Sequence, residues 1–470
     1  MTFQTVPLQI VGATSQNRSK QASNAMTKNW YPQLTPDGRS EAILLPWWGT
    51  KAFGTSPKTT HRGRHVFQDV LYQVAEDTLY SISSTGTYTS IGSISGSDRC
   101  IFDDNGDFMV ITTGGDTYSY DGTTLTTATD PDFQSPASNT MLNNQWIYDG
   151  TGEKFWVSDA GDPLTLAALN NAEAESRGDP LSRAYAFKQW VYLFGTESIE
   201  PWYNSGVGDP PFDRIDNGIM EKGLGALHSV SHTDNFMYFY GDDDNIYQVV
   251  QTQIKNITPP YLNYQLSQLD KSAAIGNCIQ LDGQDFYQIS FGSKELTYCY
   301  SEQTGAWFNL STGTTDDRYV GTDLVKVYDT IIGFDLATSN AIELDDATYT
   351  DLGAVIVRER VFPPLNSAKL DLGAGKRLIM DMAKFIMETG QGLNTGQGVK
   401  PKIMVSAAQD GARTFSTERW INFGQMGEFL INVEFWEMIS FYDISFKITV
   451  SDPVFCSLHD ASVRVKLDGY

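Results

Sequence analysis

From about Val66 to Asp345 apolar and polar positions alternate in short runs, each closed by a turn. Val70–Ala75, Phe108–Thr113, Trp190–Gly195 and Asn235–Gly241 are clear examples, and most are soon answered by another such run. A two-residue alternation sets successive side chains on opposite faces of a strand. No helical stretch of any length interrupts the series. Strand after short strand, rich in aromatics and split by Gly and Asp turns, predicts four-stranded blades around a central channel, a β-propeller.

The runs group into units at about 66–98, 99–135, 138–180, 183–227, 228–254, 274–318 and 319–354. Turn signals sit inside them: Glu76-Asp77, Gly114-Gly115, Asp121-Gly122, Asp149-Gly150, Asp242-Asp243-Asp244 and Asp282-Gly283. In the sixth unit a strand is expected at Glu295–Tyr300. Uneven spacing leaves six or seven blades open, and repeat signatures of the WD or kelch kind are absent, so the blades are divergent.

Beyond Pro363-Pro364 the pattern changes. Strands are expected at Arg377–Thr389, Lys402–Ala407, Glu428–Val433, Ser445–Val450 and Ser462–Lys466, with Gly-rich turns between them. Phe446, Ile448 and Val450 alternate with Lys447 and Thr449, as in an antiparallel strand with one wet face. The expected fold is therefore all-β: a divergent six- or seven-bladed β-propeller over 45–355 and a C-terminal β-sandwich over 358–470. Residues 1–44 are left as an N-terminal arm. Within it Ile43-Leu44-Leu45 begins a strand, and Pro32 holds Tyr31 of Asn29-Trp30-Tyr31-Pro32 extended.

Charge sharpens this division. The net charge is −24. Residues 1–65 hold eight Lys/Arg against two Asp/Glu, residues 66–354 hold 12 against 42, and the remainder is balanced at 13 each. The basic start suits docking on an acidic neighbour, with Arg18, Lys20, Lys28, Trp30, Lys51, Lys58, Arg62 and Arg64 as candidates. The acidic body suits a surface or channel that repels a polyanion rather than gripping it. Its candidate acidic turns are Glu76 with Asp77, and Asp242, Asp243 and Asp244.

Chemistry adds little. No GxSxG, HExxH or GxxxxGK[ST] motif occurs, so no catalytic residue is assigned. Asp242-Asp243-Asp244 offers hard oxygen atoms but not the ligand spacing of a calcium loop. His228 and His232 lie in an extended context, where residues four apart are roughly 13 Å from each other. The expectation is a chain that is not an enzyme and has no metal or cofactor. Cys100, Cys278, Cys299 and Cys456 are scattered among apolar neighbours and read as buried thiols made in a reducing cytoplasm. No apolar run is long enough for a membrane span, and the start has no secretory pattern.

Several stretches resemble a known family. Gly195-Thr196-Glu197-Ser198-Ile199-Glu200-Pro201-Trp202-Tyr203-Asn204 is similar to the small-residue turn, Ile-Glu and aromatic that follow the middle blade in the packaged-DNA stabilisation proteins of short-tailed bacteriophages, also called tail nozzle or tail accessory proteins. Met220-Glu221-Lys222-Gly223-Leu224-Gly225, Asn29-Trp30-Tyr31-Pro32 and Phe446–Val450 followed by Ser451-Asp452-Pro453 resemble further patches of the same family. The resemblance implies a virion protein made in the host bacterial cytoplasm and assembled as a homo-oligomeric ring, commonly a hexamer. It implies a portal and adaptor ring above, tail fibre or needle proteins below, and double-stranded DNA passing without tight binding. The competing reading is a carbohydrate-binding propeller that recognises a host surface.

Overall fold

The computed structural model describes residues 2–468 except 13, 17, 21, 39, 175–177 and 293–296. Glu295 and Leu296 of the expected sixth-unit strand lie outside the described residues; the strand there is Thr297–Ser301.

Seven four-stranded antiparallel units follow one another among the described residues. Blades 1 to 6 occupy 61–93, 101–127, 139–173, 181–214, 231–256 and 275–310. Blade 7 takes three strands from 322–345, and its fourth is Gly49–Gly54, paired antiparallel to Ala341–Asp345. The first strands of successive blades stand side by side around the axis, and Thr322–Val327 of blade 7 meets His61–Phe67 of blade 1 to complete the circle. Borrowing the last strand from the start of the chain joins the two ends of the ring through a sheet ladder.

Local chemistry explains the hairpins. In blades 1, 3, 6 and 7 the first two strands are joined by two residues with positive φ: Gln68-Asp69, Asn143-Asn144, Asp282-Gly283 and Tyr328-Asp329. Such mirror-image turns match the right-handed twist of paired strands. Apolar residues then fill the spaces between blades. Phe67, Val74, Met109 and Ile111 pack blade 1 on blade 2, and Leu71, Ile82, Ile332 and Phe334 pack blade 7 on blade 1. A short helix, Pro260–Leu266, fills the long link between blades 5 and 6 with Leu262 and Leu266.

The sandwich has two sheets. One runs Trp30–Leu34, Ala42–Pro46, Leu458–Leu467, Leu378–Met387, Val433–Phe441, with Gln4–Pro7 also on Leu458–Leu467. The other runs Asn24–Lys28, Arg358–Val361, Asp443–Val450, Lys402–Ala408, Arg419–Asn422. The expected strand Glu428–Val433 is absent. The strand starts at Val433, and Phe429 and Leu430 stand exposed in the segment before it.

The N-terminal stretch is not a free arm. Its strands complete both sandwich sheets, and Lys28 also bridges to Asn309 of blade 6. One motif rivets the domains together. On an extended strand neighbours point opposite ways, so Trp30 enters the sandwich core while Tyr31 enters the core between blades 6 and 7. Trp30 Nε1 donates to the Cys456 carbonyl at 2.8 Å, and the Tyr31 hydroxyl donates to Asp282. Asn29, in the left-handed region at φ 57°, donates to the carbonyls of Ser311 (3.0 Å) and Val357 (2.9 Å) and accepts from the Ser311 amide (2.9 Å).

Candidate functional site

The propeller's own bore is cationic and bridged. Arg64, on the innermost strand of blade 1, reaches across to blades 6 and 7, donating to Asn277 Oδ1 (2.9 Å) and to the carbonyls of Asp323 (3.0 Å) and Leu324 (2.8 Å). Asp323 also receives Arg99 and, at 2.8 Å, His61 Nε2. Burial pushes the Asp323 carboxyl up, but Arg99, His61 and Arg64 outweigh it and hold the group well below the usual carboxylate range. Gln73 Nε2 lies 2.8 Å from His61 Nδ1. That contact makes Nδ1 an acceptor, so the buried ring is neutral with its proton on Nε2, and burial lowers its pKa.

From the far side, Arg183 of blade 4 donates to the Leu227 carbonyl and lies 5.0 Å from the centre of the Tyr185 ring, whose hydroxyl meets His232 Nδ1 at 2.7 Å. His228 sits in the 3-10 turn Leu227–Ser229, and burial pushes its pKa down to about 3. The bore contains a cavity of about 190 Å³ and another of about 580 Å³, both lined in part by Arg64, His65, Phe102 and Tyr185. A cavity of that smaller size, lined by Arg64, Arg99, Arg183 and His228, is too narrow for duplex DNA, whose major groove alone is about 12 Å wide. The carboxylates of this bore, Asp323 and Asp103, stand among Arg64, Arg99 and Arg183, and the candidate acidic turns lie outside it.

The candidate acidic turns share a face. Glu76-Asp77 and Asp242–Asp244 both connect the second and third strands of their blades, which places them at the same end of the propeller. Each is partly neutralised. Lys58 pairs with Glu76 (3.6 Å) and Asp77 (3.1 Å). The Thr59 amide and hydroxyl also bind Glu76 and lower its pKa. Lys222 and the Tyr247 hydroxyl hold Asp243 at 2.8 and 2.7 Å; although burial pushes that carboxyl up, these partners keep it low. Lys271 lies 3.8 Å from Asp244, and the Asp242 amide bonds the Gly223 carbonyl. No group of three His, Cys, Asp or Glu able to hold a metal occurs among the described residues.

The basic candidates divide. Arg18 and Lys20 are exposed, with Arg18 5.4 Å from the centre of the Tyr264 ring. Lys51 is half-exposed beside Glu343 (3.2 Å) and Asp345 (3.5 Å). Lys58 is partly exposed over Glu76 and Asp77, Arg64 lines the bore, and the remaining three are buried. Trp30 is fully buried, and Arg62, 1 % exposed, uses its guanidinium on the carbonyls of Glu76, Ser95 and Asp98. Lys28 is buried between Asp316 (2.7 Å) and Glu359 (2.9 Å). Burial alone would lower its pKa, and the two carboxylates raise it. Part of the basic bias of the N-terminal stretch is therefore spent inside the molecule, by Lys28, Arg62 and Arg64.

The sequence reading missed the strongest surface signal, the apolar side chains on the sandwich: Trp420, Phe429, Leu430, Trp436, Met438 and Tyr442 are all more than half exposed. Apolar residues in strands read as core; Trp420 belongs to the edge strand Arg419–Asn422 and Trp436 and Met438 to the edge strand Val433–Phe441, while Phe429, Leu430 and Tyr442 lie outside the strands.

A closed propeller with a bridged bore, fused to a sandwich and carrying charged and apolar outer surfaces, defines a scaffold that works through its surfaces. Two family models match the chain in this order: "Bacteriophage P22 Gp10, beta-propeller" over residues 4–349 and "Bacteriophage P22 Gp10, beta-sandwich" over residues 371–466. The chain belongs to this phage DNA-stabilisation family, and is a structural protein of the bacteriophage virion. No curated protein matches it in sequence. Similar solved structures include the computationally designed Ika8 protein (11 % identity, 67 % of this chain and 96 % of that one, TM-score 0.40). The WD40 beta propeller domain of Doa1 (12 %, 63 % and 96 %, 0.41) and U3-55K (9 %, 63 % and 98 %, 0.40) are two more. At such scores these likenesses carry no argument.

Proposed function

We propose that the chain is one subunit of a closed ring at the tail end of the phage particle, below the portal and its adaptor and above tail fibre or needle proteins. The ring, with about six copies as the family resemblance implies, extends the DNA channel, retains the packaged genome and passes it out on ejection. The observation that carries the reading is the match of both family domains, in order, across almost the whole chain. The blocked bore supports a corollary: DNA passes between subunits, along their outer surfaces, and not through any one propeller. The excess of carboxylates on those surfaces suits a wall on which DNA slides, since phosphate contacts to Lys and Arg would add salt-dependent grip. The direct test is genome retention in particles assembled without this protein. The reading expects heads that lose their DNA, and stably filled heads would overturn it.

A further inference from the structure

The smaller cavity of the bore has the chemistry of an anion site. Arg64, Arg99, Arg183, His228, Asn277 and Asp323 all line it. They come from almost every part of the ring: Arg64 from the first strand of blade 1, Arg99 from just before blade 2, and Arg183 from blade 4. His228 stands in the turn before blade 5, Asn277 in blade 6 and Asp323 in blade 7.

Charge does not balance within this cavity. Asp323 is the single carboxylate that lines it, against three guanidinium groups. Burial, helped by Arg99 and Arg183, lowers the His228 pKa, so that ring is neutral and adds no charge. Asp103 lines the adjoining cavity, but its oxygen atoms already accept from the Met141 amide (2.7 Å), the Asp104 amide (2.9 Å) and the Thr140 hydroxyl (3.0 Å). An excess of like charge in a confined space is costly unless it is paired.

Donors are left over as well. Arg64 uses Nε and Nη2 on Asp323, Asn277 and Leu324, and its Nη1 has no hydrogen-bond partner among the described residues. Arg99 spends Nη2 on Asp323, and its Nε has no partner there. Arg183, 7 % exposed, spends Nη1 on the Leu227 carbonyl and likewise leaves Nε unpartnered. Asn277, also buried, turns Oδ1 to Arg64 and leaves Nδ2 unpartnered. The site thus offers N–H groups from several blades. Water would satisfy such donors but not the charge. A tetrahedral oxyanion does both, and the planar guanidinium fork matches its oxygen atoms. The cavity of about 190 Å³ far exceeds the about 10–15 Å³ that seats one water, so an oxyanion has room.

We infer that the propeller bore binds a phosphate dianion, held between Arg64, Arg99 and Arg183, which pins the blades together at the axis. The inference does not depend on the ring reading. It concerns a small ion inside one subunit, whereas the genome passes outside it.

The test uses the full chain purified without phosphate or sulfate. Calorimetric titration with sodium phosphate, at an ionic strength fixed with sodium chloride, should give one saturable site with a Kd of about 1 mM or tighter. Sulfate should compete for it. A nucleoside monophosphate that binds about tenfold tighter would make a phosphate ester the source, and equal or weaker binding would make it the free ion. Arg183→Met should weaken phosphate binding roughly tenfold or more, the scale of losing one charge-assisted hydrogen bond, while Arg18→Met, at the exposed surface, should leave it unchanged. No saturable binding, or an unchanged Kd in a folded Arg183→Met chain, would overturn the inference. Tungstate soaked into crystals of the unsubstituted chain decides the matter without any variant. An anomalous peak among Arg64, Arg99 and Arg183 is expected, and peaks only elsewhere would overturn the site.

Discussion

Replacing Trp30 by Ala should uncouple the sandwich from the propeller. The side chain is fully buried in the sandwich core and donates its indole N–H to the Cys456 carbonyl. Removing a buried aromatic costs about 3–5 kcal/mol, and leaving the Cys456 carbonyl without its donor adds about 1 kcal/mol. The neighbouring Tyr31 still anchors the strand between blades 6 and 7, so the loss falls on the sandwich. For a unit of 150–250 residues each kcal/mol shifts the midpoint by about 2–4 °C, so a drop of roughly 8–16 °C in the sandwich transition follows from a loss of about 4 kcal/mol. Scanning calorimetry should show one envelope splitting in two, and proteolysis near the lower transition should cut first within residues 371–466. Tyr31→Ala should instead lower the propeller transition. A Trp30→Ala protein melting within about 2 °C of the parent, or cleaved first in the blades, would refute the assignment of this motif as the joint.

Other predictions follow from the bore and the turns. Asp323→Asn strands the Arg99 guanidinium. Because Arg99 is partly exposed, the loss should lie near or below the low end of the about 3–5 kcal/mol seen for broken buried pairs, and combining it with Arg99→Met should restore part of it in a calorimetric double-mutant cycle. Neutral buried His61 and depressed Asp323 both have folded pKa values below their unfolded ones. Their stabilisation is complete above the unfolded His value near 6.5 and is lost as pH falls; melting between pH 8 and 4 should show an acid-side decline that His61→Gln shrinks. Gly223→Ala puts a Cβ 1.8 Å from the Thr196 carbonyl oxygen, so soluble yield should fall sharply, whereas Gly106→Ala, which meets no neighbour within 4 Å though its φ is 88°, should be milder.

The alternating runs made the blades legible because blade strands bury one apolar face against each neighbour. What was not legible was non-local. The fourth strand of blade 7, Gly49–Gly54, lies nearly 290 residues from its partner, and no local pattern announces such a pairing. The first blade begins at His61 and not near Val66, because the polar side chains His61 and Arg64 face the bore, where Asp323, Gln73 and backbone carbonyls satisfy them. Asp282-Gly283 reads as a turn, but Gln68-Asp69 and Tyr328-Asp329 adopt the same geometry without its usual residues. The run at Phe429 and Leu430 reads as a core strand, but both side chains stand exposed in the segment before Val433.

The central claim is that this chain lines the path of the genome as a member of a ring. Electron microscopy of intact particles, with this subunit assigned in the density, tests it most directly. The account predicts a closed ring on the tail axis beneath the portal and adaptor, with DNA running between subunits and each propeller bore empty of it. Density placing the chain only at a distal, receptor-facing position, or DNA threading a single propeller, would contradict it; the first outcome would favour recognition of a host glycan.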